Sequence, residues 1–406
     1  MDIFIPKKVQ FILNTLILNG FDAYIVGGCV RDSILNKVPN DYDITTNAFP
    51  EDIMRLFEKT VPTGIAHGTV TVLIDKEPFE VTTFRTESDY LDNRHPSKVS
   101  FVSDVKEDLS RRDFTINSMA YNAKSGLVDP FNGVNDLNSK LIRCVGDSSL
   151  RFKEDALRVL RAIRFSCQLN FQIADDTLNA ISENNCLLKN ISAERIRDEL
   201  SKMLLSPRPS VAISHMINTK TLKVIVPNLY ETLKISNTID RIDVLCDKLY
   251  VRLCYFMLPL DDFELTEKTL KYLRFDNNTI NLTMTFYDAI LQNFDLKDTV
   301  SVKRLIYKIS KEHIFDFLDL LKVIYIDDIC EINLIEKAKF QIQDIISNKD
   351  PLSIKDLAIN GNDLKELGIR DGRAIGNILN LLLAKTLEMP QINVKESLII
   401  LAKQYI

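Results

Sequence analysis

No two cysteines in this chain form a C-x-x-C pair, and its four histidines stand far apart from one another. A structural zinc site built from Cys and His ligands is therefore not expected. The seven cysteines are scattered and odd in number, which suits reduced thiols in the cytosol better than a disulfide framework. Glycine and proline are also few, 12 and 13 of 406 residues, which argues against disorder or low complexity. No run approaches the roughly 18 uncharged residues of a membrane span. Nor is there an excess of positive charge. Lys and Arg number 51 against 56 Asp and Glu, a net charge of −5, so a nucleic-acid partner would have to be held by a local patch.

What remains is an ordinary globular composition, 46% apolar and 26% charged, with length for two to four domains. The apolar stretch from Phe11 to Leu18 follows Lys7 and Lys8, but Asn14 interrupts it and no small-residue cleavage site comes after it. An amphipathic first helix accounts for it better than a signal peptide. The first third of the chain mixes strand and helix signals. Thr69 to Ile74 and Phe79 to Phe84 are β-branched runs on either side of Asp75-Lys76-Glu77-Pro78, the pattern of a hairpin. Thr86 to Val99 is polar, has no apolar periodicity and is expected to be a long loop. From about Leu150 apolar residues recur at helical spacing, with breaks near Ser206-Pro207-Arg208-Pro209, Asp261-Asp262 and Lys349-Asp350-Pro351. The expected class is α+β, a mixed head followed by an all-helical remainder.

The chemistry concentrates in a few segments. Asn40-Asp41-Tyr42-Asp43-Ile44 reads as a strand, and residues two apart in a strand share a side, so Asp41 and Asp43 would present their carboxylates together. Two adjacent carboxylates are costly to ionise unless a dication lies between them, and Mg²⁺ takes one or two carboxylates together with substrate phosphates. Just upstream, Gly27-Gly28 lies between the apolar run Ala23 to Val26 and the helix-like run Val30 to Leu35. This arrangement lets backbone N–H groups approach a phosphate, with Arg31 adding charge. The combination describes a site for a metal-bound nucleoside triphosphate.

Glu80 shares a strand face with Thr82. It is either a third carboxylate for the metals or a solvated edge residue, and its own strand leaves both open. Arg111-Arg112-Asp113-Phe114-Thr115-Ile116-Asn117 sets two guanidinium groups beside an amide, a phosphate-binding set or a helix start with salt bridges. Asp155, Arg158, Arg161 and Arg164 recur every three residues beside an apolar stripe of Leu157, Leu160 and Ile163. On a helix these four would align, either as a solvated face or, given the upstream site, as a nucleotide reader. Ile191 to Leu200 opens another helix with Ser192 at its N-cap, in a supporting role.

In order, the segments G-G-C-V-R-D, D-Y-D-I-T-T, T-G-I-A-H-G-T-V-T-V, F-E-V-T-T-F-R, R-R-D-F-T-I-N-S-M-A-Y, D-P-F-N-G-V-N-D-L, E-D-A-L-R-V-L-R-A-I-R-F and I-S-A-E-R-I-R-D-E-L resemble the bacterial class II tRNA nucleotidyltransferases, relatives of bacterial poly(A) polymerase. A weaker likeness follows in A-I-N-G-N-D-L-K-E-L-G-I-R-D-G-R-A-I-G. The resemblance implies a head at residues 1–140, a neck at 141–205, a body at 206–290 and a tail at 291–406, with the segment from Asp129 to Leu137 as the hinge between head and neck. It assigns Asp41 and Asp43 to Mg²⁺, Gly28 and Arg31 to the triphosphate, and Arg112 and Asn117 to phosphate and ribose; Glu80 joins the catalytic set as the candidate third carboxylate of its strand face. Asp155 and Arg158 would read the base, with Arg161 and Arg164 nearby. Gly361, Gly368, Gly372 and Gly376 would grip the tRNA elbow through backbone contacts to phosphate.

The implied activity is cytoplasmic, template-independent addition of C, C and A to the 3′ end of tRNA from CTP and ATP, with no membrane or protein partner. T-G-I-A-H-G-T-V favours tRNA over poly(A) synthesis, and the Thr86 to Val99 segment favours full CCA or A-only addition over CC addition. From other classes, a small-molecule nucleotidyltransferase would not need the roughly 200-residue helical extension. A non-catalytic RNA-binding protein would not need Asp41 and Asp43.

Overall fold

The computed structural model describes residues 3–90, 96–235, 238–348 and 350–405, and the chain forms two compact units, Met1–Ile239 and Asp240–Ile406. The first unit opens with α1 (Lys7–Leu18), which buries Val9, Ile12, Leu13 and Leu16. Those positions recur at helical spacing and form one face, as expected of an amphipathic helix. Next come β1 (Ala23–Val26), α2 (Gly28–Ile34), β2 (Asp43–Thr46), α3 (Pro50–Leu56), β3 (Thr60–Gly64), β4 (Thr69–Ile74) and β5 (Glu77–Thr83). After the hairpin β6 (Arg85–Tyr90) and β7 (Pro96–Phe101) follow α4 (Val105–Ser110), β8 (Ala120–Asn122), β9 (Gly126–Val128) and α5 (Gly133–Asn138).

Seven of these strands form one mixed sheet in the order β3-β4-β5-β2-β1-β8-β9. All four residues of β1 are buried, as a central strand covered on both faces requires. It pairs antiparallel with β2 from Ala23↔Thr46 to Val26↔Asp43. On its other side β2 runs parallel to β5, with Ile44 opposite Val81 and Thr45 opposite Thr82. One step back along that register, Asp43 falls beside Glu80. The β4–β5 hairpin forms as expected, and its turn residues Asp75 and Lys76 both have positive φ, 51° and 69°, as the tightest hairpin turns demand. One face of the sheet packs Tyr24, Val26 and Ala120 against Phe84, Val105 and Leu109.

The expectation of a loop from Thr86 to Val99 is corrected over its described part. β6 and β7 pair antiparallel from Arg85↔Phe101 to Tyr90↔Pro96, a separate two-stranded sheet. The connecting residues 91–95 lie outside the described part. The expectation missed this because the sequence of the two strands is mostly polar and gives little periodic signal. Its strands pair by backbone hydrogen bonds, and Glu87, which also pairs with Arg85 on its own strand, ties the ribbon to Arg111 at 3.1 Å.

The helical part of this unit follows the short strand β10 (Leu141–Ile142). It comprises α6 (Ser148–Glu154), α7 (Leu157–Leu169), which leads to strand β11 (Gln172–Ile173), α8 (Asp175–Asn184), α9 (Ala193–Leu204), α10 (Pro209–Asn218), α11 (Thr221–Ile225) and α12 (Pro227–Leu233). α7 is the central member, packed against α9 and α10 and buried along most of its length. Ser192 does occupy the N-cap of α9, but its side chain makes no capping hydrogen bond.

The second unit is helical: α13 (Leu249–Met257), α14 (Phe263–Tyr272), α15 (Asn277–Gln292), α16 (Thr299–Ile309), α17 (Ile314–Ile324), α18 (Ile329–Ser347), α19 (Gly361–Glu366), α20 (Gly372–Glu388) and α21 (Lys395–Ala402). Asp262, Asp276, Asp298, Asp328 and Asp371 each accept a backbone N–H at a helix start, so a carboxylate fixes where five of these helices begin. Among the described residues no helix is long and apolar enough to cross a membrane.

Candidate active site

Asp41, Asp43 and Glu80 line one open cavity of ≈ 350 Å³ in the first unit, with Tyr42, Thr71 and Phe79 among its walls. The parallel β2–β5 pairing creates this meeting. Asp41 lies just before β2 rather than within it, so the two aspartates flank the strand start. Among the described residues neither Asp41 nor Asp43 has a salt-bridge partner, and no three His, Cys, Asp or Glu side chains gather closely enough to hold a metal unaided. Partial burial raises the Asp43 carboxyl above the usual carboxylate range; Arg112 opposes the shift and the Asp41 charge adds to it. Cys29 lies behind Asp43, and burial pushes its thiol up to about 11, so it stays neutral.

A cradle of backbone and arginine adjoins these carboxylates. Gly27 caps α2 with φ 79°, a conformation that favours glycine, and Arg112 Nη1 would lie 3.0 Å from a Cβ there. Gly28 opens α2, with Arg31 one turn along. Arg112 reaches the buried Asp108 at 3.5 Å, yet its Nε is buried without a hydrogen-bond partner. An orphaned cationic N–H beside two carboxylates that lack a salt-bridge partner fits a site completed by a metal and an anionic ligand. Asp108 is an anchor that sequence reasoning missed. It accepts from Arg111 at 2.8 Å and from Thr45 Oγ1 at 3.3 Å. Burial would raise its pKa, but Arg111 and Arg112 outweigh burial and hold it below the ordinary value.

Asn117 links this cradle to α7. Its carbonyl oxygen accepts from Arg31 Nη1 at 2.8 Å, while its Nδ2 donates to Asp113 at 3.1 Å. Asp113 in turn receives Arg161 at 2.6 Å. Burial pushes the Asp113 carboxyl up, but the Arg161 charge and the hydrogen bonds from Arg161 and Asn117 prevail and hold it at about 2.

The arginine stripe departs from expectation in two ways. Asp155 does not share a helix with the arginines; it ends α6 in an extended conformation and accepts from Leu157 N at 3.1 Å. The run Asp155-Ala156-Leu157 lets a side-chain acceptor compete with the helix at its first turn. Second, the stripe is not a solvated face, because Arg158 and Arg164 are buried and each arginine has its own carboxylate. Arg158 pairs with Glu154 at 2.6 Å and donates to the carbonyls of Arg151 and Arg111. Arg164 pairs with Glu199 at 2.6 Å. Asp155 and Arg158, expected to act together, have different partners: Asp155 pairs with Arg195 at 3.1 Å, and one Arg195 nitrogen, Nη1, is buried without a hydrogen bond.

Comparison with known proteins adds the context. A CCA-adding enzyme of Lactobacillus helveticus is 39% identical over 392 residues, 93% of this chain and 92% of that protein. The chain belongs to the class II CCA-adding enzymes. It is a nucleotidyltransferase by family. A second CCA-adding enzyme, from Ligilactobacillus salivarius, is 37% identical over 98% of this chain and 96% of its own length. Residues 23–143 match the poly A polymerase head domain family, 170–233 the family described as "Probable RNA and SrmB- binding site of polymerase A", and 251–402 the tRNA nucleotidyltransferase domain 2 family. Among solved structures, the Bacillus stearothermophilus CCA-adding enzyme in complex with CTP superposes with TM-score 0.80 at 27% identity, covering 98% of both chains.

Proposed function

We propose that this CCA-adding enzyme family member adds C, C and A to the 3′ end of tRNA, taking CTP and ATP and releasing pyrophosphate. The names of its full-length relatives support the reaction, and the CTP complex of a solved relative supports the nucleotide. The observation that carries the reading is the presence of Asp41 and Asp43, without salt-bridge partners, in one cavity beside Arg112. On this reading the two aspartates hold Mg²⁺, with triphosphate oxygens and water completing its coordination. Bound there, Mg²⁺ would lower the pKa of the attacking 3′-hydroxyl and steady the charge on the departing pyrophosphate.

The protein's own groups do the rest. Gly28 and Arg31 take the triphosphate, and Arg112 and Asn117 take phosphate and ribose. The 3′-hydroxyl attacks the α-phosphorus, and the bond to the β-phosphate oxygen breaks. Glu80, which lines the same cavity as Asp41 and Asp43, would add a third carboxylate toward the metal. Asp155 and Arg158 select the base without a template. Cytosine and adenine each set a ring acceptor beside an amino donor, matching Arg158 and Asp155, whereas uracil and guanine reverse the pattern. Each mismatch leaves a polar group unpaired at a cost of about 1–3 kcal/mol. Arg158 is held by Glu154 and Asp155 by Arg195, so on this account Arg158 exchanges Glu154 for the base while Arg195 keeps Asp155 in place.

The same reading keeps a head at residues 1–140, a neck at 141–205, a body at 206–290 and a tail at 291–406, with a hinge over Asp129 to Leu137. It assigns the tRNA elbow to the tail around Gly361, Gly368, Gly372 and Gly376. The deciding assay offers tRNAs ending before CCA and after CC, with an oligo(A) control, each nucleotide supplied in turn. Extension of the first by two C and one A supports the proposal. A-addition only to the CC-ended tRNA, or extension of oligo(A), would replace it with the A-adding or poly(A) alternative.

A further inference from the structure

Three arginines converge on one aromatic ring. The Phe165 ring on α7 has the guanidinium carbon of Arg164 4.2 Å from its centroid, that of Arg31 at 5.1 Å and that of Arg161 at 5.5 Å. Phe165 is 6% exposed, and the edge-to-face contact with Phe114 at 5.7 Å fixes its plane. Three like charges around one ring repel each other, and each is balanced by its own carboxylate: Asp32 for Arg31, Asp113 for Arg161 and Glu199 for Arg164.

We propose that Phe165 is a positioning residue for the nucleotide triphosphate, holding the Arg31 guanidinium by its π face so that the Nη N–H donors not taken by Asp32 and Asn117 stay directed to phosphate. This rests on the reading of Arg31 as a triphosphate contact. The physical case is one of competition. Arg31 donates to the adjacent Asp32 from both Nε and Nη2 at 2.8 Å, which leaves its outward Nη N–H groups as the donors still open to a phosphate. Asn117 holds one nitrogen at 2.8 Å, and an aromatic face holds the plane without using any donor. The ring also ties Arg31, at the start of the chain's cradle, to the helix that carries Arg158. Among the described residues Phe165 is the aromatic ring that Arg31 stacks against.

The test grades the ring's charge distribution at constant shape. Phe165→Leu should raise KM for CTP and ATP alike, by about two- to thirty-fold, more than it lowers kcat, and leave C-over-U choice unchanged. Phe165→Tyr and Phe165→Trp should restore much of the loss. Replacing Phe165 with progressively fluorinated phenylalanines, which keep the ring's shape but drain its face of negative charge, should raise KM stepwise. In direct binding, CTP should weaken with fluorination while CMP does not. KM unmoved by fluorination, or Phe165→Leu harming kcat and base choice with KM intact, overturns the proposal and makes the ring neck packing. An Arg31→Ala arm separates the two claims. If it raises KM but fluorination has no effect, the positioning role alone fails; if it leaves KM unchanged, the triphosphate reading fails and the positioning role with it.

Discussion

Arg195 donates to Asp155 at 3.1 Å, from forty residues further along the chain, so a residue on α9 holds the carboxylate proposed to read the incoming base. Removing the carboxylate removes its repulsion of the uracil carbonyl. Asp155→Ala should therefore relax C-over-U selectivity by about ten-fold or more, the worth of one unpaired buried group. Arg195→Ala should relax it in the same direction by a smaller factor, through a carboxylate that is present but less fixed. Competition assays with mixed CTP and UTP decide this. Unchanged selectivity in both variants would place base reading elsewhere.

The cavity carboxylates lead to the plainest expectation. Asp41→Ala or Asp43→Ala should lower kcat by about a thousand-fold or more, since a catalytic metal contributes several kcal/mol of transition-state stabilisation. tRNA affinity should change little, because the assigned elbow contacts lie elsewhere. Near-normal turnover in either variant would refute the metal assignment.

Asp113 gives a prediction about stability rather than turnover. Its folded value of about 2 lies below the ordinary 3.8, so the ionised carboxylate stabilises the fold above about pH 4, and that contribution is lost as pH falls toward 2. Asp113→Asn should therefore unfold more readily at pH 7, by about 2 kcal/mol, while wild type and variant converge as the pH drops through that window. Chemical denaturation from pH 7 down to pH 3 reads the difference. A gap that stays constant with pH would mean that the Arg161 pair adds no ionisation-linked stability.

Much of the site was legible because its residues are local in sequence: Gly27-Gly28 opening a helix, Asp41 and Asp43 two apart, and Arg112 and Asn117 in one segment. The α+β division was legible from the change in apolar spacing. What escaped were pairings between distant segments. Whether Glu80 comes near Asp43 depends on β5 running parallel beside β2, and a parallel pairing leaves no trace in either strand's own pattern. Asp113 with Arg161, Glu199 with Arg164 and Arg195 with Asp155 are likewise long-range, so a periodic stripe of one aspartate and three arginines looked like one surface when its members make four separate ion pairs, only Arg158 with Glu154 being local. The β6–β7 ribbon escaped for a different reason, its sequence being too polar to show an alternation of apolar residues.

That ribbon also frames the last prediction. A larger base must be accommodated when addition turns from C to A, so some element must rearrange between the second and third steps. The ribbon is joined to β5 at Arg85 and tied inward through Glu87, which accepts from Arg85 at 2.8 Å and from Arg111 at 3.1 Å. The Arg111 carbonyl in turn accepts from Arg158 at 2.9 Å, so a shift of the ribbon has a short path to the arginine proposed to read the base. It would act as a gate on specificity, with no part in the bond-making step. Deleting residues 87 to 96 should leave both C additions largely intact and lose the terminal A, by about ten-fold or more in relative rate if the exchange costs as much as one buried hydrogen bond to a charged group. Glu87→Gln, which keeps the shape and removes the charge, should show a weaker version of the same defect. The measurement is single-nucleotide extension of tRNAs ending before CCA and after CC, with the fold checked by circular dichroism. Equal loss of C and A addition in a folded variant would overturn the gating role and leave the ribbon as general support for the substrate.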